Sequence, residues 1–246
     1  MMEKDIGSVQ RQLAKPGNAL TKYKEAMVGD RGLLYMVYLE LSVLLIGSLQ
    51  GSLGAAARNL LLRPAFRHIG RKVKISRDFS FRLPYRIEIH DGCCIGNEVT
   101  LNVKSEEGEI ILGAGTCIGD KVIFSCPGGR LEVGQGTTIG RHSRLGSLMG
   151  LSVGKNCVIG EGSYIVGAGH AISALDIPII NQPITCKGEN RVGDNVVIGD
   201  RVTILDGVVI GNNAVVESDS VVIRDVEAGC CVAGIPAAVK PGAKFS

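Results

Sequence analysis

The chain has 246 residues, of which 45% are hydrophobic, 21% charged and 4% aromatic. This apolar content is enough for a complete core, which excludes a largely disordered protein. The 27 basic and 24 acidic residues leave a formal net charge of +3, and this near balance argues against nucleic acid as a partner. Glycine is in excess, because the 34 glycines compare with about 17 at the ordinary usage of ~7%.

The eight cysteines do not indicate disulfides or a metal site. No two of them form a Cys-x-x-Cys pair, and the first 30 residues lack the apolar core of a secretory signal. A chain of this length does not need disulfide staples. We therefore expect reduced thiols, a cytoplasmic protein and no bound metal.

The N-terminal quarter divides into a polar part and an apolar part. Residues 1–29 are predicted to be a flexible polar lead-in, and residues 30–66 a helical segment. The most hydrophobic run, 33–49, contains Glu40 and is shorter than the about 20 apolar residues that a membrane span needs. Between Arg58 and Arg77 there are seven basic residues and no acidic one.

An apolar helix beside a basic stretch can contact the anionic inner face of a membrane. A helical cap over the open end of the following domain, or a contact between subunits, is equally compatible with the pattern. The sequence does not decide between these interpretations.

From residue 69 onward, one large aliphatic or aromatic residue recurs every six positions. A weak series at Ile69, Ile75, Phe81 and Ile87 opens it. The regular positions come in sets of three and then in one unbroken run: Ile89, Ile95, Leu101; Leu112, Ile118, Phe124; Val133, Ile139, Leu145; Val153, Ile159, Ile165; Val192, Ile198, Ile204, Ile210, Val216, Val222.

Six residues are not a helical period, but they suit a short strand followed by a tight turn. Three such units close one coil, and stacked coils pair their strands in parallel. The glycine that often follows the aliphatic residue, as in Ile159-Gly160 and Ile198-Gly199, is expected at a corner whose backbone conformation disfavours a Cβ. The period therefore predicts a three-sided parallel β-solenoid, with Cys93 and Cys157 packed inside.

Wherever the regular period is interrupted, the extra residues follow the third hexad of a coil, so the insertions gather at one corner. The longest insertion is the loop 171–191, and a loop of this length often carries function. His170 stands at its root, directly after Gly167-Ala168-Gly169, whose glycines allow another backbone or a ligand to approach closely. The other three histidines, His68, His90 and His142, are expected on the solvated surface.

Three features together resemble the hexapeptide-repeat acetyltransferases. They are the hexad series, Gly169-His170 before the loop segment Asp176-Ile-Pro178-Ile-Ile-Asn-Gln182, and the closing segment from Ile204 to Ala237. The closing segment, with Gly234-Ile-Pro-Ala, is similar to the branch that O-acetylates sugars during polysaccharide assembly. The resemblance covers residues 69–242.

The resemblance implies a left-handed parallel β-helix over 67–242, a homotrimer with sites between neighbouring prisms, and acetyl-CoA as donor. It makes His170 the general base that takes the proton of a sugar hydroxyl. Asp200 and Ile223 depart from the family pattern, in which a small residue and a threonine are usual. The implied contacts are, for the coenzyme, Gly199, Asp200, Ser218, Ile223, Arg224 and Lys240, and, for the acceptor, Asp176 and Gln182.

The sequence therefore favours an acetyl-CoA-dependent O-acetyltransferase acting on a sugar of a surface polysaccharide. Serine acetylation and N-acetylation of an amino sugar stay open as activities of the same fold. A non-catalytic solenoid scaffold is the alternative outside enzymes. A zinc carbonic anhydrase of this fold is disfavoured, because no two histidines lie close together in the sequence.

Overall fold

A computed structural model describes residues 2–4, 18–146, 148–172 and 176–244. From His68 onward the chain winds as a parallel β-solenoid with three faces. Each coil adds one short strand to each face in turn, and stacked strands pair in register, for example Thr138 with Val158 and Ile139 with Ile159. The predicted solenoid of hexapeptide repeats is confirmed.

The strands are named in chain order and grouped here by face. Face 1 consists of β2 (His68–Ile69), β5 (Ile87–Ile89), β8 (Glu109–Leu112), β11 (Arg130–Val133), β14 (Leu151–Val153), β19 (Asn190–Val192) and β22 (Val209–Ile210). Face 2 consists of β3 (Lys74–Ile75), β6 (Cys94–Ile95), β9 (Cys117–Ile118), β12 (Thr138–Ile139), β15 (Val158–Ile159), β20 (Val197–Ile198), β23 (Val215–Val216), β25 (Cys230–Gly234) and β26 (Ala237–Lys244). Face 3 consists of β4 (Ser80–Arg82), β7 (Thr100–Val103), β10 (Ile123–Cys126), β13 (Arg144–Gly146), β16 (Tyr164–Ile165), β21 (Thr203–Ile204) and β24 (Val221–Val222).

A separate small antiparallel sheet joins β1 (Met2–Lys4), β18 (Ile184–Cys186) and β17 (Gly169–His170), with β18 in the middle. Short 3-10 helices span Pro84–Arg86 and Ile179–Asn181. This small sheet is separate from the three faces of the solenoid, and the six-residue period does not predict it.

The interior of the solenoid follows the hexad pattern. The aliphatic residue of each hexad points inward, and Ile139, Ile159 and Ile198 are each 1% exposed. Cys93 and Cys157 are also buried, as predicted. Burial raises the pKa of Cys157 above its ordinary value, so this thiol stays neutral at physiological pH.

Small polar residues inside the solenoid connect one coil to the next. The Ser163 hydroxyl donates to the carbonyl of Gly199 at 2.9 Å and accepts from the Val202 amide at 3.2 Å. Ser143 makes the equivalent bonds one coil earlier, to Gly160 and from Ser163. These buried hydroxyls therefore have partners of both kinds and do not weaken the apolar core.

The structure corrects the explanation for the glycine that follows the inward residue. Gly160 does not have a positive φ, but a Cβ on it would stand 2.5 Å from the backbone carbonyl carbon of Gly199 in the next coil. The left-handed turn lies two positions later, at Gly162 (φ 66°) and at non-glycine residues such as Arg201 (φ 54°). Gly160 is needed because two coils touch there, and its backbone conformation is not the reason.

This difference predicts that two neighbouring glycines respond differently to alanine. In Gly160→Ala the new methyl group meets backbone that cannot move, and we expect a loss of about 3 kcal/mol in the free energy of unfolding. In Gly162→Ala the nearest heavy atom to the new methyl group is 3.6 Å away. The free energy of unfolding therefore falls only because alanine is strained in the left-handed conformation, by about 1 kcal/mol. Urea unfolding of both variants measures the two losses, and equal losses would contradict the contact explanation.

In the described part of the chain, three helices precede the solenoid: α1 (Ala19–Val28), α2 (Leu33–Ile46) and α3 (Gly51–Leu62). The predicted helical segment is present, but helix begins inside the range expected to be a lead-in. Asn18 caps α1 by accepting from the Leu20 amide at 3.2 Å. The C-terminal end of α1 is held by the first coil, because Val28 is buried and Arg82 donates to the Ala26 carbonyl.

The helices cover the first coil of the solenoid. Helix α1 packs against β4 of face 3, and α3 packs against β3 of face 2. Met36, Leu39 and Ile46 of α2 are buried in the same core as the first coil. The helical segment is therefore a cap, and a membrane contact would have to use the side of the helices that faces away from the solenoid.

Arg58 of α3 holds this cap together. It is the first of the seven cations in the basic stretch from Arg58 to Arg77, yet it is only 2% exposed. Its guanidinium donates to the carbonyls of Ile75 (2.9 Å), Ile46 (2.8 Å) and Leu49 (2.7 Å). The side chain thus joins the first coil to the end of α2 and to the turn before α3.

Arg58→Met removes the donor for three carbonyls that lie in this junction. We expect a loss of about 3 kcal/mol in the free energy of unfolding, because hydrogen bonds from a charged donor are replaced by unpaired acceptors. The matched control is Arg141→Met, which removes only the exposed ion pair with Glu161 and should cost about 0.5 kcal/mol or less. If urea unfolding gives the same midpoint for both variants, Arg58 does not hold the cap.

The far end of the stack is closed differently. Strand β26 turns back antiparallel onto β25, which pairs in parallel with β23. The last strand of face 2 therefore runs against the direction of all the others in that face. This hairpin covers one of the three sheet edges that the final coil would otherwise expose.

Candidate active site

His170 lies at the root of a β-hairpin that leaves the solenoid after β16, at the corner between face 3 and face 1. In this hairpin β17 pairs antiparallel with β18, so that His170 is opposite Ile184. The Ala171 amide donates to the Pro183 carbonyl at 2.9 Å and continues the pairing by one residue. His170 is exposed.

The two glycines that precede His170, Gly167 and Gly169, have different surroundings. A Cβ on Gly146, one coil earlier, would stand 2.9 Å from the Gly167 nitrogen, so the chain here is packed closely on the coil before it. A Cβ on Gly169 would meet no described heavy atom within 4 Å. The chain therefore passes from close packing to open space within three residues, and His170 follows on the open side.

The two predicted acceptor contacts have different environments. Asp176 is exposed at the outer part of the loop. Gln182 is 4% exposed, and its amide donates to the Ile177 carbonyl at 2.9 Å. Gln182 therefore holds the shape of the loop in this structure, and Asp176 is the better placed of the two to meet a ligand. Residues 173–175 of the predicted loop lie outside the described part of the chain.

The predicted coenzyme contacts divide between two corners of the solenoid. Ile223 and Arg224 follow β24 and are exposed at the face 3/face 1 corner, the corner from which the His170 hairpin emerges. Two strand steps separate β16 from β24 in face 3. At about 4.8 Å a step, Arg224 lies about 10 Å further along the solenoid axis than His170.

The other four residues lie at the face 2/face 3 corner. Gly199 and Asp200 follow β20, Ser218 follows β23, and Lys240 on β26 forms an ion pair of 2.6 Å with Glu217. Six residues of extended chain cross face 3 from this corner to the other, a distance of about 20 Å. Within one chain, the six predicted coenzyme residues do not form one compact site.

Hydrogen bonds between coils explain why Asp200 and Ser218 stand at this corner. The Asp200 carboxylate accepts from the Glu161 amide at 2.7 Å, and the Ser218 hydroxyl accepts from the Asp200 amide at 3.0 Å. The same bond occurs at another corner, where Asp194 accepts from the Lys155 amide at 2.7 Å. The shared sequence signal is an Asp, Asn or Ser two residues after the inward residue of a hexad, as in Ile198-Gly199-Asp200 and Val216-Glu217-Ser218.

This role predicts how Asp200 responds to substitution. Asp200→Ala leaves the Glu161 amide without an acceptor, and we expect a loss of about 1 kcal/mol in the free energy of unfolding. Asp200→Asn keeps an acceptor oxygen and should unfold like the parent protein. Urea unfolding and coenzyme A titration are measured on both variants. A weakened coenzyme affinity in Asp200→Asn at unchanged stability would instead make Asp200 a coenzyme contact.

Face 3 carries a group of cations near the hairpin that the sequence analysis did not single out. Arg144 lies over the ring of Tyr164, with its guanidinium carbon 5.8 Å from the ring centroid. Burial lowers the pKa of Lys104, and the charges of Arg144 and Arg82 lower it further. These positive charges are therefore close enough to repel one another, and an anion bound between them would relieve the repulsion.

Sequence comparison finds a family match in the last coils of the solenoid. Residues 191–224 match the family model for the bacterial transferase hexapeptide (six repeats). The solenoid thus matches the left-handed β-helix of hexapeptide repeats, and the fold prediction is confirmed in this respect as well. No curated protein sequence matches the chain.

Solved structures with the same fold include AntD, an N-acyltransferase from Bacillus cereus. Its complex with dTDP and 3-hydroxybutyryl-CoA is 20% identical, covers 74% of this chain and 86% of AntD, and superposes with a TM-score of 0.55. A serine-to-threonine mutant of AntD, in complex with dTDP and coenzyme A, is 19% identical, covers 82% of this chain and 92% of AntD, and has a TM-score of 0.57. At these identities the likeness concerns the fold.

Three further findings concern the described residues. No group of three or more His, Cys, Asp or Glu side chains among them could hold a metal ion. No helix in the described ranges is both long enough and apolar enough to cross a bilayer. The eight cysteines are all free thiols.

Proposed function

We propose that the protein is an acetyl-CoA-dependent O-acetyltransferase that modifies a sugar hydroxyl of a surface-polysaccharide precursor, with His170 as general base. The observation that carries this proposal is the position of His170. It is an exposed imidazole at the root of the longest loop, at the corner that also holds Arg224. A hexapeptide-repeat match in the closing coils supports the same chemistry.

In the proposed reaction, an imidazole nitrogen of His170 accepts the proton of the sugar hydroxyl while the oxygen bonds to the thioester carbonyl carbon. The carbon–sulfur bond then breaks, and the proton passes to the leaving thiolate. The products are the acetyl ester and free coenzyme A. An imidazole can both accept and return a proton at neutral pH, which contributes about 10²- to 10⁴-fold to the rate.

The cations of face 3 favour an acceptor that carries phosphate. Lys104 and Arg144 lie on the face that leads to the hairpin, and Tyr164 offers an aromatic surface beside them. A sugar attached to a nucleotide or to a lipid pyrophosphate would pair its phosphates with these cations and present its hydroxyl to His170. The presence of dTDP in the AntD complexes supports a nucleotide-linked sugar.

We also propose that the site is completed by a second copy of the chain in a homotrimer. In one chain, Lys240 and the corner near Gly199 are about 20 Å from the corner of His170 and Arg224. A neighbouring subunit can bring its own face 2/face 3 corner against the face 3/face 1 corner. Exposed apolar residues on faces 2 and 3, including Val158, Val197 and Ile223, support such a contact. A cytoplasmic location would fit the need for acetyl-CoA.

The N-acyltransferase activity of AntD makes N-acetylation of an amino sugar the second candidate. An amine is the better nucleophile and needs a base only to remove a proton after attack. Radiolabelled acetyl-CoA supplied with matched nucleotide sugars, one with a hydroxyl and one with an amine at the same carbon, distinguishes the two. Transfer to the amine alone would contradict O-acetylation.

His170→Asn tests the general base, because the amide is similar in size but does not accept a proton at neutral pH. We expect acetyl transfer to fall by at least about 100-fold while coenzyme A affinity stays the same. The matched control is His142→Asn, at an exposed histidine whose left-handed φ of 61° asparagine tolerates. It should keep full activity, and unchanged turnover in His170→Asn would contradict the mechanism.

A further inference from the structure

The helical cap exposes many leucines on the side that faces away from the solenoid. In α3 the inward residues are Arg58 and Leu62, while Leu53 is 84% and Leu60 73% exposed. Leu53 and Leu60 are seven positions apart and lie on one helix face. The end of α2 adds the exposed leucines Leu44 (78%) and Leu45 (66%), and the turn before α3 adds Leu49 (47%). Exposed leucines at this density do not help the cap to fold.

A groove of about 980 Å³ runs between α3 and strand β3 of the first coil. Leu49 and Leu60 form part of its apolar wall, and Lys72, Lys74 and Arg77 belong to its other side. Arg63 also lines the groove and donates to the Gly70 carbonyl at 2.8 Å. Among the described residues that line the groove, none is acidic.

Nearby acids neutralise only part of this charge. Arg77 has Asp78 at 3.8 Å, so its charge is partly balanced. Lys72 and Lys74 are exposed and point away from the core, because Val73 and Ile75 are the buried residues of this stretch. The groove therefore combines an apolar wall with a positive rim.

We propose that this groove and the adjacent leucines dock on a bilayer that contains anionic phospholipid. The cations would pair with headgroup phosphates, and Leu53 and Leu60 would enter the boundary between headgroups and acyl chains. A second copy of the chain is a poorer occupant, because a two-fold contact brings the groove against itself and opposes cations to cations. A soluble anion would leave the leucines in water.

Docking at this end gives the proposed active site a defined height above the membrane. The coil of β16, from which His170 projects, lies four strand steps from the first coil. At about 4.8 Å a step, His170 stands about 19 Å along the axis from the docking surface. The docking proposal does not depend on the acetyltransferase proposal, and its test measures lipid binding alone.

Co-sedimentation with vesicles tests the proposal. The full chain is mixed with vesicles of phosphatidylglycerol and phosphatidylcholine, or with vesicles of phosphatidylcholine alone. We expect binding only to the anionic vesicles. Binding should weaken when NaCl is raised from about 0.1 to about 1 M, because the Debye length falls from about 10 to about 3 Å.

Two double variants separate the charged and apolar contributions. Lys72→Gln with Lys74→Gln should lower the partition coefficient about 25-fold, since each cation near an anionic surface contributes about fivefold. Leu53→Gln with Leu60→Gln should lower the partition coefficient by at least about 100-fold, because two leucines that would be buried in the bilayer are lost. The controls are Lys155→Gln with Arg191→Gln, and Leu20→Gln on the exposed side of α1. They should bind within about twofold of the parent protein.

Several outcomes would overturn the docking proposal. The parent protein could fail to bind the anionic vesicles, or the Lys72 and Lys74 variant could bind as tightly as the parent. Release from vesicles by inorganic phosphate, at an ionic strength held constant with NaCl, would indicate a site for a free anion. A molecular mass in light scattering that falls in the Leu53 and Leu60 variant would assign the leucines to a contact between copies of the chain.

Discussion

The spacing between stacked coils is the constraint on which this molecule depends. Parallel strands pair at about 4.8 Å, and at each corner two backbones must approach as closely as they do within a face. The glycine at the corner, such as Gly160, leaves room for the backbone of the next coil. The Asp, Asn or Ser two residues after the inward residue, such as Asp200, accepts a hydrogen bond from an amide of the coil before. Shape and hydrogen bonding thus impose the same repeat on the sequence.

The same constraint limits where a loop with functional residues can be inserted into the solenoid. Faces 1, 2 and 3 continue without a break past the long loop, because β14 pairs directly with β19, β15 with β20 and β16 with β21 although the hairpin is inserted between β16 and β19. Insertions at the face 3/face 1 corner therefore leave the ladder intact. His170, Asp176 and the interior bond of Gln182 all belong to such an insertion. Because insertions at this corner do not interrupt strand pairing, the loop can change in length and sequence without loss of the fold.

The sequence predicted the frame well because a six-residue period is a repeated signal, and every inward position supports the others. It predicted the burial and the contacts of single residues less well. Arg58 belongs to a run of cations by composition, yet it is buried as the donor for three carbonyls, since only tertiary contacts supply those acceptors. The corner role of Asp200 is a contact between residues 39 apart. The grouping of Lys104 with Arg144 depends on stacking across coils, which no local pattern displays.

The way in which the two ends of the stack are finished has a consequence for the solution state of the protein. A parallel solenoid that ended bluntly would offer open ladders at top and bottom, and each copy could add to the next without limit. Here helices lie over the first coil, and β26 runs backward along the last strand of face 2. Growth into a filament is thereby obstructed at both termini. Association is left to the flanks of the prism, where contacts between copies can close into a finite ring.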